Sequence, residues 1–203
     1  MLTENERRIL EISYQHKLSH LGSCLTALDI IEEIYATKGP EEKFVLSSGH
    51  AHLAHAVVLE RNGGMEAERS LEEYGIHCDR RAGCDASTGS LGQGLPIATG
   101  MALSDRSKNV YCLVSDGELA EGSCWEALEL AHKLKLQNLK IHVNANGFGA
   151  YDSVDTNRLV QRLSNYDLFI SIHRTNLEKF PFLQGLAAHY LVMSREQYED
   201  AAH

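Results

Sequence analysis

The sequence predicts an α/β fold with three layers, in which helices cover both faces of a parallel sheet. Short apolar runs typical of buried strands alternate with segments typical of amphipathic helices. The clearest of these runs end in polar turns that contain glycine, as strands of parallel sheets do where a ligand binds. The 203 residues, 43% of them hydrophobic, suffice for one core. We therefore expect a single domain over residues 1–203.

The N-terminal region predicts two helices separated by a bend. Thr3 followed by Glu6 matches a capping box and predicts a helix to about residue 17. Thr26 followed by Asp29 predicts the start of a second helix, which continues through the apolar residues of 28–35. Residues 19–23 lie between the two and predict a polar bend that presents side chains to a ligand.

The next segment predicts a strand, a turn and a helix. Residues 44–47 have the pattern of a short buried strand, and Gly49 follows in a turn before a helix to about residue 60. Residues 75–94 are rich in glycine and lack sustained periodicity, which predicts a long loop of the kind that is usually functional. An alanine-rich helix is expected from Pro96.

Two further strands are predicted in the middle of the chain. Residues 110–114 form the clearest one and residues 139–143 the next, with a helix from about residue 122 to about residue 135 between them. Strands that alternate with helices in this way indicate a parallel sheet. Beyond residue 151 the pattern is weaker and predicts a helix at 158–163, a strand at 168–172 and a terminal helix after Ser194.

Composition and charge argue against several classes of function. The formal net charge of −9 is spread along the chain, and no cluster of lysine and arginine offers a surface for nucleic acid. We find no targeting signal or long apolar run, so we expect a cytoplasmic chain that does not enter a membrane. The five cysteines form no C-x-x-C pair and are interpreted as small buried residues of a reduced protein.

Polar residues follow two of the predicted central strands. Asp116 comes directly after the first, and Asn146 ends the turn after the second. Because the carboxyl ends of parallel strands meet at one edge of a sheet, both side chains should face one pocket. Their oxygens are ligands that suit Mg²⁺. Gly117 and Gly147 would let the backbone approach a diphosphate closely, so the sequence predicts a site for a metal and a diphosphate.

Five motifs, spread in order over about residues 15–150, resemble those of the transketolase family. The metal signature is SDGE at 115–118 with NAN at 144–146, and 30 residues separate Asp116 from Asn146. The stretch GELAEGSCWEA at 117–127 is similar to the family's G-E-x-x-E-G-x-x-W-E-A. The remaining matches are STGSLGQG at 87–94, SHLGS at 19–23 and LSSGH at 46–50. The chain resembles the family's diphosphate-binding (PP-type) domain, which has the thiamine-diphosphate-binding fold.

The resemblance implies thiamine diphosphate and Mg²⁺ as cofactors. Three groups would bind Mg²⁺, namely the Asp116 carboxylate, the Asn146 amide and the Phe148 backbone carbonyl. The residues implied to contact the cofactor, Glu121 among them for its position at a subunit interface between paired cofactor sites, are His50, Ser90, Leu91, Gly92, Asp116, Gly117, Glu118, Glu121 and Asn146. The histidines that match the family's substrate channel, and that we predict to be catalytic, are His20, His50, His77 and His189.

The resemblance also implies a partner. In this family, the glutamate that activates the cofactor belongs to a second α/β domain, for which the residues after 151 leave too little room. A second chain carrying the pyrimidine-binding and C-terminal domains, together with self-association, is therefore expected, as in split transketolases. The implied reaction transfers a two-carbon ketol unit between sugars or sugar phosphates.

Three departures from the family pattern leave alternatives open. Ser115 replaces the first glycine of G-D-G, Ser48 replaces the lysine of L-S-K-G-H, and the C-terminal part after Asn146 is shortened. One alternative is a subunit of a 2-oxoacid dehydrogenase or decarboxylase, which shares the metal motif but which the motifs at His20 and His50 argue against. The other is a non-catalytic subunit that binds the cofactor or serves as a scaffold.

Overall fold

A four-stranded parallel sheet forms the middle layer of the protein. The computed structural model of the chain describes residues 1–149 and 152–202. The strands are β1 (Lys43–Leu46), β2 (Val110–Ser115), β3 (Leu139–Ala145) and β4 (Phe169–Arg174). They lie in the order β1-β2-β3-β4, and all three neighbouring pairs are parallel. The carboxyl ends of β2 and β3 therefore lie side by side.

Eight α-helices surround the sheet in the described part of the chain. They are α1 (Glu4–Gln15), α2 (Leu21–Thr37), α3 (His52–Arg61), α4 (Ala67–Tyr74), α5 (Gly94–Ser104), α6 (Gly122–Lys133), α7 (Thr156–Leu163) and α8 (Arg195–Ala202). α1 begins at the predicted capping box, in which the Thr3 hydroxyl accepts a bond from Glu6 N and the Glu6 carboxylate accepts one from Thr3 N.

The sheet divides the core in two, because successive strand residues point to opposite faces. Val45 and Cys112 pack in the core covered by α5, α6 and α7. Phe44 and Leu46 pack in the other core, which is built with α1 to α4. Helices thus cover both faces, and the predicted three-layer α/β class is confirmed.

The predicted start of the second helix at Thr26 is wrong. α2 begins at Leu21, five residues earlier, and Leu21, Gly22 and Ser23 are buried in its first turn. Thr26 is itself buried inside the helix, where its hydroxyl donates to the carbonyl of Gly22 at 3.0 Å. Because this hydroxyl bonds backward within the helix, it does not cap a helix start. Of the predicted polar bend, only the residues up to His20 lie outside the helix.

The segment between α3 and α5 contains a helix that the sequence pattern did not indicate. α4 buries only Ala67, Ser70 and Leu71, so it shows too few apolar residues for a clear period. The predicted long loop follows it, interrupted by a 3-10 turn at Arg80–Ala82. α5 begins at Gly94 rather than at Pro96. Within residues 1–149 and 152–202, no helix is long and apolar enough to span a membrane.

Candidate active site

The turns after β2 and β3 are joined by the carboxylate of Asp116. Ser115 and Asn144 pair across the two strand ends, and Asp116 N donates to the carbonyl of Asn144 at 3.0 Å. The Asp116 Oδ1 accepts a bond from Gly117 N at 3.0 Å, and its Oδ2 accepts one from Gly147 N at 2.7 Å. The predicted convergence of these two turns is therefore present in the structure.

The surroundings of Asp116 suit a divalent cation. The residue is only 1% exposed, and burial raises the pKa of its carboxyl to about 6 against the opposing N–H bonds of Gly147 and Gly117. Two further oxygen atoms near the Asp116 turn could bind a metal. One is Asn146 Oδ1, which accepts a hydrogen bond from Phe148 N at 2.9 Å, and the other is the Phe148 carbonyl oxygen. A carboxylate, an amide oxygen and a backbone carbonyl form an all-oxygen set, which is what Mg²⁺ prefers.

Gly117 leaves room for a close backbone approach between the two turns. A Cβ at this position would lie 3.0 Å from the Cα of Gly149 and 3.3 Å from the carbonyl oxygen of Phe148. Any larger residue would force the turns apart. The glycine therefore keeps the Phe148 carbonyl beside the Asp116 turn, as a shared metal site requires.

A cavity of about 190 Å³ opens above these turns. It is formed by the two strand ends, the start of α2, the loop before α5 and the segment before α8. The residues that line it are His20, Ser23, Ser48, His50, His77, Gly89, Leu91, Ser115, Gly117, Asn144, Asn146, Phe148, Gly149, His189 and Tyr190. All four histidines predicted to be catalytic are among them.

Three of these histidines form a tight group. The ring centroid of His20 lies 5.0 Å from that of His50 and 6.5 Å from that of His189. His20 has a left-handed backbone, with φ of 63°, and its N–H donates to the carbonyl of His189 at 3.0 Å. This bond connects the N-terminal helices to the segment before α8. It explains how residues 169 positions apart in sequence face one cavity.

Burial disfavours the charged forms of the grouped histidines. Burial lowers the pKa of His50 to about 3, with smaller contributions from His20, His189 and His77. Burial is also the first cause of the lowered pKa of His20, and it lowers the pKa of His189. The buried Nδ1 of His20 has no hydrogen-bond partner in the described part of the chain. Since buried polar atoms are normally paired, this nitrogen is suited to a bound molecule.

His77 reaches the cavity from the long loop. Its ring packs over Gly89, where a Cβ would lie 3.1 Å from His77 Cδ2. Leu91, two residues further on, also lines the cavity. The loop thus contributes both the predicted histidine and the predicted apolar contact.

Glu118 lies beneath the cavity and not along its wall. Its Oε1 accepts bonds from the Ser47 hydroxyl at 2.6 Å and from Gly92 N at 3.2 Å, and its Oε2 accepts one from Ser115 N at 3.2 Å. Burial raises its pKa to about 7, against the opposing bonds from Ser47, Ser115 and Gly92. The structure therefore places Glu118 as a connector of β1, β2 and the loop.

Four other residues predicted to contact the cofactor also lie outside the cavity lining, and the buried Asp116 described above is one of them. Gly92 is buried with φ of 78°, and a Cβ there would meet the side chains of Glu121 and Ser123 at 2.6 and 2.7 Å. Ser90 and Glu121 are exposed on the surface. The contacts of these residues with the cofactor stay predictions.

The cavity also contains residues to which the sequence assigned no role. Asn144 donates to the Thr26 hydroxyl at 3.0 Å and accepts a bond from the Thr175 hydroxyl, so it fixes β3 against α2. Ser23, Ser48 and Asn144 stand inside the quoted motifs, which could have identified them. Tyr190 has no motif around it. Ser115, the substituted glycine position, accepts a bond from Glu118 N at 3.2 Å and caps the turn below the cavity.

A family model described as 1-deoxy-D-xylulose-5-phosphate synthase matches residues 1–176. The chain belongs to this family. The matched region of this synthase-family chain includes both strand-end turns, His20, His50 and His77, whereas His189 lies beyond it. The predicted relationship to transketolases is also confirmed by individual relatives, and solved transketolase structures share the fold.

The relatives of this synthase-family chain include transketolases of very different length. Those of Pongo abelii and Homo sapiens are each 38% identical over 155 residues, which cover 66% of this chain and 25% of theirs. An apulose-4-phosphate transketolase subunit of Phocaeicola vulgatus is 26% identical, over 98% of this chain and 90% of its own length. The chain therefore spans about a quarter of the animal enzymes but nearly all of the bacterial subunit.

Solved transketolase structures share the fold of this synthase-family chain. The Pichia stipitis enzyme in complex with xylulose-5-phosphate superposes with a TM-score of 0.78 at 17% identity, over 98% of this chain and 40% of that one. The Campylobacter jejuni enzyme superposes with a TM-score of 0.70 at 18% identity, over 100% of this chain and 43% of that one.

Proposed function

We propose that the chain is the diphosphate-binding subunit of a transketolase-type enzyme, which requires thiamine diphosphate and Mg²⁺ and transfers a two-carbon ketol unit between sugars or sugar phosphates. The observation that supports this most strongly is the bond from Gly147 N to the Asp116 carboxylate at 2.7 Å, which closes the 30-residue signature into one site. In this proposal, residues 1–203 form one diphosphate-binding domain with a shortened C-terminal part.

The chain's own groups would hold the cofactor at its charged end. Asp116, Asn146 and the Phe148 carbonyl would bind Mg²⁺, which neutralises the diphosphate that a chain of net charge −9 would otherwise repel. Gly117 would admit the diphosphate next to the backbone. When bound, thiamine diphosphate supplies the carbon nucleophile and the electron sink for cleaving a ketose carbon–carbon bond.

The histidine group would bind the sugar. A neutral imidazole donates from one nitrogen and accepts at the other, so it matches a sugar hydroxyl without adding charge. His20 offers an unpartnered Nδ1, and His50, His77 and His189 line the same cavity. In the proposal these residues orient the hydroxyls and transfer protons at them. This arrangement supports a ketose over a 2-oxoacid, which carries no such row of hydroxyls.

A second chain would complete the enzyme. One relative that matches this chain over most of both lengths is a subunit of a transketolase. We propose a partner that carries the pyrimidine-binding and C-terminal domains, with the cofactor lying between the two chains. Self-association is supported by α5, which exposes the apolar side chains of Ile97 and Leu103.

Calorimetric titration of the full chain with thiamine diphosphate and Mg²⁺ tests the metal site. We expect saturable heat for the wild type, and weakening by about 3 kcal/mol, roughly 100-fold, for Asp116→Asn, since removing one partner of a buried ion pair is costly. Asp200→Asn, an exposed position on α8, is the matched control and should bind like the wild type. Absence of heat with or without a pyrimidine-domain partner would leave the scaffold alternative.

A turnover assay distinguishes the two enzymatic candidates. The chain, assayed with its co-purified partner, should convert a ketose phosphate and an aldose into the two exchanged sugars. Release of carbon dioxide from a 2-oxoacid, without ketol transfer, would instead favour the decarboxylating alternative.

A further inference from the structure

A second cluster of chemically active side chains lies away from the cavity. His52 and His55 stand one turn apart on α3, and Cys78 and Cys84 come from the loop after α4. All four residues are buried, with exposures between 0% and 5%. One nitrogen or sulfur atom of each lies within 4.8 Å of the corresponding atoms of the other three.

The four sulfur–nitrogen distances within this cluster are close to those of a tetrahedral zinc site. The Sγ of Cys78 lies 3.6 Å from His52 Nδ1 and 3.9 Å from His55 Nδ1. The Sγ of Cys84 lies 3.7 and 3.5 Å from the same two nitrogens. In a tetrahedral zinc site, with Zn–S of about 2.3 Å and Zn–N of about 2.0 Å, sulfur and nitrogen are about 3.5 Å apart.

The far side of each imidazole has a partner of its own. His52 Nε2 is bonded to the Ser70 hydroxyl at 2.9 Å, and His55 Nε2 to the Tyr35 hydroxyl at 2.7 Å. These bonds leave both Nδ1 atoms directed at the cysteines. Metal-binding histidines characteristically use one nitrogen for the ion and the other for such an orienting partner.

We propose that His52, His55, Cys78 and Cys84 bind one structural Zn²⁺ ion. Two thiolates and two imidazoles are a donor set that selects zinc over Mg²⁺ or Ca²⁺. Four protein ligands fill a tetrahedral shell, and burial of all four leaves no open position for a substrate. The site would therefore be structural, and it would give Cys78 and Cys84 a role beyond that of small buried residues.

The ion would fix the loop that reaches the cavity. Cys78 directly follows His77, and Cys84 stands shortly before the loop residues Gly89 and Leu91. α3, which supplies the other two ligands, begins directly after the turn that carries His50. Zinc would thus connect the loop to α3 and set the position of His77, independently of thiamine diphosphate.

Elemental analysis and X-ray absorption of the full chain test the proposal. Protein purified without chelators or a metal-affinity tag should contain about one zinc per chain, with two sulfur and two nitrogen ligands at the distances above. Cys78→Ser and Cys84→Ser should each lose most of the zinc. Cys124→Ser, a buried cysteine in the other core, is the matched control and should keep it.

Three results would overturn the proposal. One is a chain that takes up no zinc even when refolded in its presence. Another is bound zinc whose absorption spectrum shows no sulfur ligand, and the third is a Cys78–Cys84 disulfide found by mass spectrometry in protein prepared without reductant. The first two measurements use the wild-type chain, so they decide the matter even if the serine variants fail to fold.

Discussion

Two groups of histidines lie on either side of the start of α3 and differ in how their ring nitrogens are used. His20, His50 and His189 gather around an open cavity, and the buried Nδ1 of His20 has no partner within the described residues. At His52 and His55, both ring nitrogens have a partner within the described structure. The first group therefore has a nitrogen free to bond a ligand, which the proposed function assigns to a sugar. In the second group, the proposed zinc ion would lie between nitrogens and sulfurs that already face one another.

The change from one group to the other takes two residues. His50 lies in a 3-10 turn and faces the cavity, whereas His52 is the first residue of α3 and faces the core. Residue type alone therefore does not separate the histidine proposed to bind a sugar from the histidine proposed to bind zinc. The hydrogen-bond partners of the second nitrogen do.

The largest effect should follow from removing a histidine of the group around the cavity. His20→Ala should lower kcat/KM for ketol transfer by roughly 10²- to 10⁴-fold, the usual contribution of a positioned acid or base. The measurement is turnover of a ketose phosphate with the co-purified partner. His132→Ala, outside the cavity, is the control. Equal activity of the two variants would contradict the proposed role of the cavity histidines in binding the sugar.

A clash at Gly49 should disrupt both groups together. A Cβ at this buried position would lie 2.3 Å from the carbonyl oxygen of Thr88, which is backbone and cannot rotate away. Gly49→Ala should therefore lower the free energy of unfolding by about 3 kcal/mol, measured by urea denaturation. Gly100→Ala, on the open side of α5, should be neutral or stabilising by up to about 1 kcal/mol. Similar losses in both variants would argue against the close contact.

The proposed zinc site of His52, His55, Cys78 and Cys84 should bind zinc more weakly when a hydroxyl that orients one of its histidines is removed. Tyr35→Phe removes the hydroxyl bonded to His55 Nε2 and keeps the ring that packs against Phe44. Zinc affinity, measured by competition with a chromophoric chelator, should fall by about 10-fold or more. Tyr111→Phe is the control, since Tyr111 lies in β2 away from the cluster. Unchanged affinity of Tyr35→Phe would show that the hydroxyl does not orient the ligand.

A further pair of histidines, His142 and His173, lies on β3 and β4, and burial is the main cause of the shifted pKa of His142. Burial lowers the pKa of His142 to about 4, and the nearby His173 lowers it further while Glu33 opposes the shift. In the unfolded state the same side chain has a pKa of about 6.5. Between about pH 4 and about pH 6.5, the unfolded state therefore binds more protons than the folded state. The stability tied to neutral His142 is thus present above about pH 6.5 and falls toward about pH 4, by at most about 1.4 kcal/mol per pH unit. Urea denaturation at a series of pH values should show that the free energy of unfolding of His142→Gln falls less steeply with decreasing pH than that of the wild type. Parallel pH profiles of the two proteins would contradict this prediction.

The sequence predicted most of what depends on local pattern. The strands β1, β2 and β3 were predicted because each is a short apolar run followed by a polar turn, and the joining of Asp116 to the Gly147 turn followed from parallel topology. The same pattern did not reveal α4, which buries few residues, or the true start of α2, where Thr26 bonds backward inside the helix.

The grouping of His52, His55, Cys78 and Cys84 could not be predicted from the sequence, for a different reason. Cys78 and Cys84 are separated by five residues, and His52 and His55 come from a helix that starts 26 positions before Cys78. No spacing rule joins them, because the fold of α3 against the loop brings them together. The H-x-x-H spacing on a predicted helix was the one available signal.

The hydrogen bonds of Asp116 hold the two turns in place before a ligand binds. Both of its oxygens hold backbone N–H groups through contacts internal to the chain. The entropy lost in ordering the two turns therefore belongs to folding and not to association. A cofactor entering this site would meet turns that are already ordered, and the heat capacity change on binding should reflect only the surface it covers, with no added contribution from loops that become ordered.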